Sequence, residues 1–476
     1  MKILLVTPPQ PGIKKAGNSK ILRGLLPPLG MGYVAAVLEK EGHSVKIIDS
    51  PVLAYEIKDI IESASIFKPE ILGISTLSPL AEEAYKLSKA FKRCFPLTKI
   101  VLGGAHPTCF PEEAINAAPE IDIIVIGEGE YIMLDVVRAL SNGKEELSGV
   151  KGIYYRDKNN QIVKNQKRDE VIDLKDLPFP SRHLYSILRY APEPFENRML
   201  PSTNLIASRG CTYARCTFCY RSGRMKREYR VQPVQKTIEE IRSLVKKYRI
   251  KELIFYDDDL LSNKKWVMDF CDALLKEPYR LQWSFRGRCD TASYEVLKAA
   301  KEAGCWSVSY GFESGNQDLL DNIKKGITLE QSRKVSEWAH KLDLELVGTF
   351  MLGLPGETPE KGEKTIDFAI ELDCTYAAFI PTHPFVGTEL YEYAVKKGKF
   401  VDMPYSGRML ATRFMPKISY VPDGYRGVKA IEELCKKAYR KFYLRPCYIL
   451  KHLRKIKNIN DVRRYYEGIK FMFGLC

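Results

Sequence analysis

Cys211, Cys216 and Cys219 stand within nine residues of one another in Arg209-Gly210-Cys211-Thr212-Tyr213-Ala214-Arg215-Cys216-Thr217-Phe218-Cys219-Tyr220. A loop of that length can turn three thiolates toward one place. Iron–sulfur clusters are held by cysteine thiolates, and a four-iron cluster given only three of them keeps one iron open to a further ligand. That open iron would be the reactive centre. Two other chemistries use part of the pattern: Cys216-Thr217-Phe218-Cys219 alone is a CxxC, which serves as half a zinc site or as a redox dithiol. A closed zinc site needs a fourth ligand, and the fifteen residues after Cys219 hold no Cys or His. A dithiol explains neither Cys211 nor the arginines at 209 and 215.

Such a loop must be launched by a rigid element. Leu205-Ile206-Ala207-Ser208 reads as a short buried strand running into a glycine turn. It opens a series of strands at Glu252-Tyr256, Leu281-Phe285, Ser307-Gly311, Glu345-Leu352 and Tyr376-Ile380, separated by helical patterns at Thr237-Lys247, Lys264-Leu275, Ser293-Ala303, Leu329-Lys341 and Glu360-Leu372. Six βα units curl toward a barrel without the eight strands that close one, so residues 203–400 are expected to form a partial (βα)6 TIM-like barrel. Chemistry in such folds sits at the C-terminal ends of the strands. Those ends carry the cysteine loop, Asp257-Asp258-Asp259, Arg286-Gly287-Arg288, Glu313-Ser314, Gly353-Leu354-Pro355-Gly356-Glu357-Thr358 and His383. Adjacent aspartates repel unless cations are near; they suit a divalent metal, or an ammonium group with the remaining carboxylates capping the next helix. Arg286 and Arg288 suit a substrate or cofactor carboxylate, or a salt bridge to those aspartates. His383 reads as a packed loop histidine.

Residues 1–142 show the same alternation. Strands are expected at Lys2-Thr7, Ser44-Asp49, Ile71-Thr76, Lys99-Gly103 and Ile123-Gly127, with helices between them near Met31-Glu41, Ile57-Phe67, Ala81-Arg93, Glu112-Ala118 and Tyr131-Leu140. Continuous Val/Ile/Leu strands bounded by helices mark a parallel sheet buried on both faces, an α/β, doubly wound, Rossmann-like domain. Ligands of such sheets lie beyond the carboxyl ends of the strands, here at Ser75-Thr76, Gly103-Gly104-Ala105-His106 and Gly127-Glu128. No GxGxxG follows the first strand, so a dinucleotide is not favoured. Residues 143–202 read as a hairpin, Gly152-Tyr155 with Gln161-Lys164, and a proline-rich connector.

The 476 residues suggest two or three domains. Hydrophobic content of 45% with 28% charged residues is that of a globular chain and excludes a disordered one. No apolar run approaches the roughly 18 residues that span a bilayer, and the opening apolar stretch is too short for a secretory signal. The cytoplasm is the expected location, where scattered single cysteines act as small hydrophobes rather than disulfides.

The net charge of +15 is concentrated in the tail: from Tyr425 to Cys476 there are fourteen Lys/Arg against four Asp/Glu, 14 − 4 = +10. Residues 401–476 are expected to be a basic helical region, with Pro446 splitting Ile431 to Lys457 into two amphipathic helices. Basic amphipathic helices with aromatic residues suit an anionic membrane surface; a helical pair packed on the barrel with a solvated basic rim is the alternative. Nucleic acid wants the same charge, but no recognised nucleic-acid module accompanies it.

The loop from Cys211 to Cys219, with Phe218 before the last cysteine, resembles the cluster loop of the radical S-adenosylmethionine (SAM) enzymes. The likeness continues through Phe255 to Asp259, Cys289-Asp290-Thr291, Gly311-Phe312-Glu313-Ser314-Gly315, Gly353 to Thr358 and Pro384 to Tyr391. These are similar to the subgroup with an N-terminal cobalamin-binding domain, as are Pro27-Pro28-Leu29-Gly30, Gly103 to Thr108 and Gly127 to Glu130. The resemblance implies a [4Fe–4S] cluster on Cys211, Cys216 and Cys219, SAM chelated to its open iron and cleaved to a 5′-deoxyadenosyl radical, and cobalamin at Ser75, Thr76, Gly103, Gly104, His106, Gly127 and Glu128. It places the methionine ammonium on Asp258 or Asp259, the ribose near Glu313 and Ser314, the adenine face on Phe218 and its edge on Gly353, Gly356 and Glu357. No side chain is implied as a general base. It implies an electron donor such as flavodoxin or ferredoxin and, as the leading reaction, methylation of an unactivated carbon on a small, apolar or lipid-like molecule, with ring formation or oxidative rearrangement as the alternative. A non-catalytic iron–sulfur or zinc protein is the rival class. Two departures stand out. Four residues separate the first two cysteines where the family most often has three, and the Asp-x-His-x-x-Gly that supplies histidine to cobalt elsewhere is missing.

Overall fold

The computed structural model describes residues 1–11, 22–141, 146–193, 196–220, 228–397, 400–401, 418–453, 456, 462 and 466. The chain forms two compact units, Met1–Ala191 and the part from Pro192 onward.

In the first unit, strands β1 (Lys2–Thr7), β2 (Ser44–Asp49), β3 (Ile71–Ser75), β4 (Lys99–Gly103) and β5 (Ile123–Val125) are parallel, in the order β2-β1-β3-β4-β5. Consecutive burial of Ile3, Leu4, Leu5 and Val6 shows why these strands read as unbroken apolar runs: helices cover both faces. The order reverses between β1 and β3, the point at which doubly wound sheets take their ligands. The hairpin β6 (Ile153–Arg156) and β7 (Ile162–Lys164) is not a free-standing part of a connector. It extends this sheet antiparallel beyond β5, because Ile123 to Val125 pair with Tyr155 to Ile153.

The second unit contains six parallel strands in sequential order: β8 (Ser202–Leu205), β9 (Glu252–Phe255), β10 (Gln282–Gly287), β11 (Cys305–Glu313), β12 (Glu345–Leu352) and β13 (Tyr376–Pro381). No pairing joins β8 to β13, so the barrel is partial. The first strand lies three residues ahead of the expected Leu205-Ser208. Its polar Ser202, Thr203 and Asn204 are buried, whereas the amides of Ala207 and Ser208 leave the ladder for the Asp257 carboxylate. Phe312, Phe350 and Phe379 stack in a row across β11, β12 and β13.

Helix Val428–Tyr443 lies along the open edge at β13. The Tyr443 hydroxyl accepts from the Ala377 amide and donates to its carbonyl, both at 3.0 Å; Tyr439 meets the Phe379 amide at 3.3 Å, and Tyr448 donates to the Thr375 carbonyl at 2.8 Å. Unpaired edge groups invite pairing with other chains, and three tyrosines of the tail occupy them. Phe442 is buried in the same contact beside Phe379, and Ile431 and Leu434 of the helix are buried near Gly353 and Gly362. Thus the aromatic residues of Val428–Tyr443 read as membrane-facing are turned toward the barrel, and Lys437 and Lys441 pair with Glu363 and Asp367. Residues 454–455 and 457 of the expected amphipathic stretch lie outside the described residues.

Candidate active site

The cysteine loop leaves the C-terminal end of β8 and is held from its first residues. Asp257, buried at the end of β9, accepts from the Ala207 amide (3.2 Å), the Ser208 amide and the Ser208 hydroxyl (2.6 Å). Burial raises its carboxyl to about 7, against the pull of those donors. Asp258 is exposed and accepts from the Gly210 amide at 3.1 Å. Gly210 turns the chain into the loop at φ +89°, and Ala214, inside the longer first interval between cysteines, stands at φ +42°. Farther on, the Thr217 amide donates to the Ile323 carbonyl (3.0 Å) and the Thr217 carbonyl accepts from Leu390 (2.9 Å). The loop is therefore a braced structure.

Cys216 is buried; Cys211 and Cys219 are half-buried. Among the described residues no group of three His, Cys, Asp or Glu side chains is placed to hold one metal ion. A cluster takes each thiolate on a separate iron. Two buried cations accompany Cys216. The Arg288 guanidinium lies 3.7 Å from its sulfur, and Lys325 pairs with Glu313 at 2.7 Å. Burial raises the Cys216 thiol, and Lys325 and Arg288 oppose that rise. Glu313 stands at φ +61°, an uncommon conformation for a side-chain-bearing residue, and a Cβ on Gly311 would come within 2.4 Å of its Oε1. Gly311 thus leaves room for the Glu313–Lys325 pair.

The other rim residues divide into open and occupied ones. Phe218 packs against Leu319, Ile323 and Leu354 with Lys325 5.7 Å above its ring. Asp259, unlike Asp258, is buried and already accepts from the Ser262 hydroxyl, the Arg288 amide and the Thr291 hydroxyl. Ser314 is buried on Thr365 and Asn316. Gly353 and Gly356 have φ of +81° and +79°, giving the sharp turn at the end of β12. Glu357 folds back beneath that turn, where its Oε1 accepts from the Gly353 amide and the Tyr425 hydroxyl, both at 2.6 Å. It holds the turn in place, and its side chain is not presented to a ligand. Arg286 reaches Glu196 at 3.1 Å rather than the aspartates, and Arg288 forks onto Asp290. His383 is buried with Nδ1 on Ser419 at 2.6 Å, the packed histidine the sequence suggests.

At the carboxyl edge of the first sheet, Gly104 (φ +99°) and Gly127 (φ +96°) make two turns tied together by Thr108, whose hydroxyl donates to the Gly104 carbonyl (2.7 Å) and accepts from the Gly127 amide (3.1 Å). A Cβ on Gly104 would strike the Thr76 backbone at 2.6 Å, whereas one on Gly127 would meet nothing within 4 Å. Ser75, Gly103 and Glu128 are half-buried along the same edge, with Thr76 buried behind them. That open, glycine-lined ledge fits a large flat ligand resting on backbone. His106 is buried, with Nε2 2.8 Å from the Tyr85 hydroxyl and Nδ1 3.2 Å from Ser78; burial lowers it to about 4, so it is neutral. Both ring nitrogens are occupied within the protein.

Sequence reasoning missed three residues. Asp257 stood among three like aspartates, and Lys325 and Tyr425 come from segments with no motif. Their contacts are tertiary, and local pattern carries no signal of them.

Residues 205–369 match the radical SAM superfamily and residues 21–137 the B12 binding domain family. The chain is 34% identical over 453 residues to an uncharacterized methyltransferase of Pyrococcus horikoshii, covering 95% of each. It is 29% identical to the cytidylyl-2-hydroxyethylphosphonate methyltransferase of Streptomyces wedmorensis, covering 93% of this chain and 90% of the other. In fold it matches OxsB, a cobalamin-dependent S-adenosylmethionine radical enzyme solved with aqua-cobalamin and S-adenosylmethionine bound, with a TM-score of 0.74 at 20% identity over 99% of this chain and 70% of that one.

Proposed function

This chain belongs to the radical SAM superfamily, in the group with a B12-binding domain, whose cofactors are a [4Fe–4S] cluster, SAM and cobalamin, and we propose that it methylates an unactivated carbon of an apolar or lipid-like substrate. When bound, the cluster with SAM supplies a carbon-centred radical able to take hydrogen from unactivated carbon, and cobalamin supplies a methyl carrier. The chain's own residues bind, orient and exclude water. The observation that carries the reading is the braced loop with Cys216 buried beside the Arg288 guanidinium at the head of a parallel barrel.

In this reading Cys211, Cys216 and Cys219 hold the cluster, and Asp258, the exposed carboxylate of its pair, takes the methionine ammonium. Phe218 with Leu354 gives the adenine face, the backbone of Gly353 to Gly356 its edge, and Glu313, charge-balanced by Lys325, the ribose hydroxyls. The ledge at Gly104 and Gly127 would hold the corrin on backbone, with His106 engaged by Tyr85 and Ser78. A flavodoxin- or ferredoxin-type donor supplies the electron.

The substrate class rests on this chain's own surface, since one relative's name carries a cytidylylated phosphonate. Leu444, which caps helix Val428–Tyr443, is 60% exposed, and Ile449, Leu450 and Leu453 of helix Pro446–Leu453 are 44%, 55% and 57% exposed. No described helix is long and apolar enough to cross a membrane, so the contact supported is peripheral. The test is product mass from anaerobic turnover with lipid extracts: a methyl gain supports the reading, and a hydrogen loss without methyl gain favours the ring-forming or oxidative alternative.

A further inference from the structure

The interval between Cys211 and Cys216 carries one more residue than the family usually has, and the structure shows what the extra length is packed on. The ring of Tyr213 lies against the Arg288 guanidinium, 4.0 Å from its centroid, and the Tyr213 hydroxyl donates to the Lys324 carbonyl at 2.9 Å. A Cβ on Gly326 would come within 2.3 Å of that hydroxyl, so the phenol rests directly on a glycine whose φ is +68°. Arg288 is 6% exposed. Its Nε and one terminal nitrogen fork onto Asp290 at 2.9 and 3.0 Å, and that terminal nitrogen also donates to the Lys325 carbonyl at 2.8 Å. The remaining terminal nitrogen is directed at Cys216 Sγ, 3.7 Å away. Tyr213, inside the enlarged interval, and Cys216, at its end, are thereby joined through one guanidinium.

We propose that Arg288 is a positioning residue of the cluster loop: it clamps the enlarged Cys211–Cys216 interval through Tyr213 and keeps a fixed positive charge against the Cys216 sulfur. This rests on the cluster assignment above. A planar guanidinium is always charged, stacks on an aromatic face and donates in a fixed fork, and no other cationic side chain combines these contacts. The charge has a direction of effect. Reduction adds negative charge to a cluster, so a buried cation beside a ligating sulfur stabilises the reduced form and raises the potential.

The experiment compares anaerobically reconstituted full-length chains by iron content, rate of iron loss to a ferrous chelator, and midpoint potential followed by EPR. Arg288→Gln keeps a polar fork and removes the charge; its reduced-to-oxidised ratio at a fixed poise should fall about tenfold, or about 59 mV for a one-electron couple. Arg288→Lys keeps the charge but loses stacking and fork, and should hold the wild-type potential while losing iron several-fold faster. Tyr213→Ala should likewise lose iron faster at unchanged potential. If Arg288→Gln holds no iron, the clamp is supported and the charge is judged from Arg288→Lys, where a tenfold shift would overturn it. Wild-type potential in Arg288→Gln together with wild-type iron retention in Tyr213→Ala overturns the whole proposal. A wild-type chain that binds no four-iron cluster refutes the underlying assignment instead, and the two failures are thereby distinguished.

Discussion

Asp257 and Glu357 are both buried carboxyls at strand ends, and both hold a loop. Asp257 supplies the acceptor for two amides and a hydroxyl at the start of the cysteine loop. Replacing it by Ala strands those donors in a buried place, at about 1–3 kcal/mol for each donor left without a partner. Asp257→Ala should therefore lower the urea midpoint of the barrel unit and reduce iron content, and an unchanged midpoint would show that the amides find other partners. Glu357 offers a pH signature. Burial raises its carboxyl to about 7 from an ordinary 4.5, with the Tyr425 hydroxyl and nearby amides opposing the rise. The fold therefore favours the protonated form: its contribution is complete below about pH 4.5 and is lost as pH rises through about 7. In Glu357→Gln the decline in stability between pH 5 and pH 8 should flatten relative to wild type, as read from urea melts across that range. Parallel curves would mean that Glu357 is ionised throughout.

At the scale of elements, the strands and helices that deliver the rim were legible because buried parallel strands and amphipathic helices have distinct periods. Lys2–Thr7, Lys99–Gly103, Glu345–Leu352, Lys264–Leu275 and Leu329–Lys341 have the bounds their patterns suggest. The first barrel strand was misplaced because Leu205 to Ser208 is apolar, while the strand that forms is the polar but buried Ser202–Leu205. Nothing local announces that a carboxylate fifty residues away will take the next two amides. The same limit applies to the tail. Its amphipathic pattern predicts helices, but whether Phe442 and the tyrosines face lipid or an open strand edge is decided by the barrel. Phe442, fully buried beside Phe379, should cost about 3–5 kcal/mol on replacement by Ala, measured as a shift in urea midpoint. Leu450→Glu with Leu453→Glu changes exposed positions only and should leave that midpoint unmoved while reducing sedimentation with anionic liposomes. Equal pelleting of wild type and this double variant would remove the membrane-surface reading and with it the support for a lipid-like substrate.

On the scale of the whole molecule, two units each present a strand-end surface suited to one class of cofactor: a glycine ledge on the first sheet, and a thiol loop with buried cations on the barrel. Cobalamin retention tests the first. Reconstitution with hydroxocobalamin followed by gel filtration should leave the corrin spectrum with the protein, and Gly127→Trp, which fills the open ledge, should diminish it; because Gly127 stands at φ +96°, the variant's urea midpoint is measured beside its corrin content. The central claim is that the three-cysteine loop turns SAM into radical chemistry, and its most direct measurement is 5′-deoxyadenosine formed under anaerobic conditions with a strong reductant. The wild-type chain, brown and carrying about four irons, should form it, and Cys216→Ala should be colourless and form none. Zinc in place of iron, or deoxyadenosine undiminished in Cys216→Ala, would contradict the account.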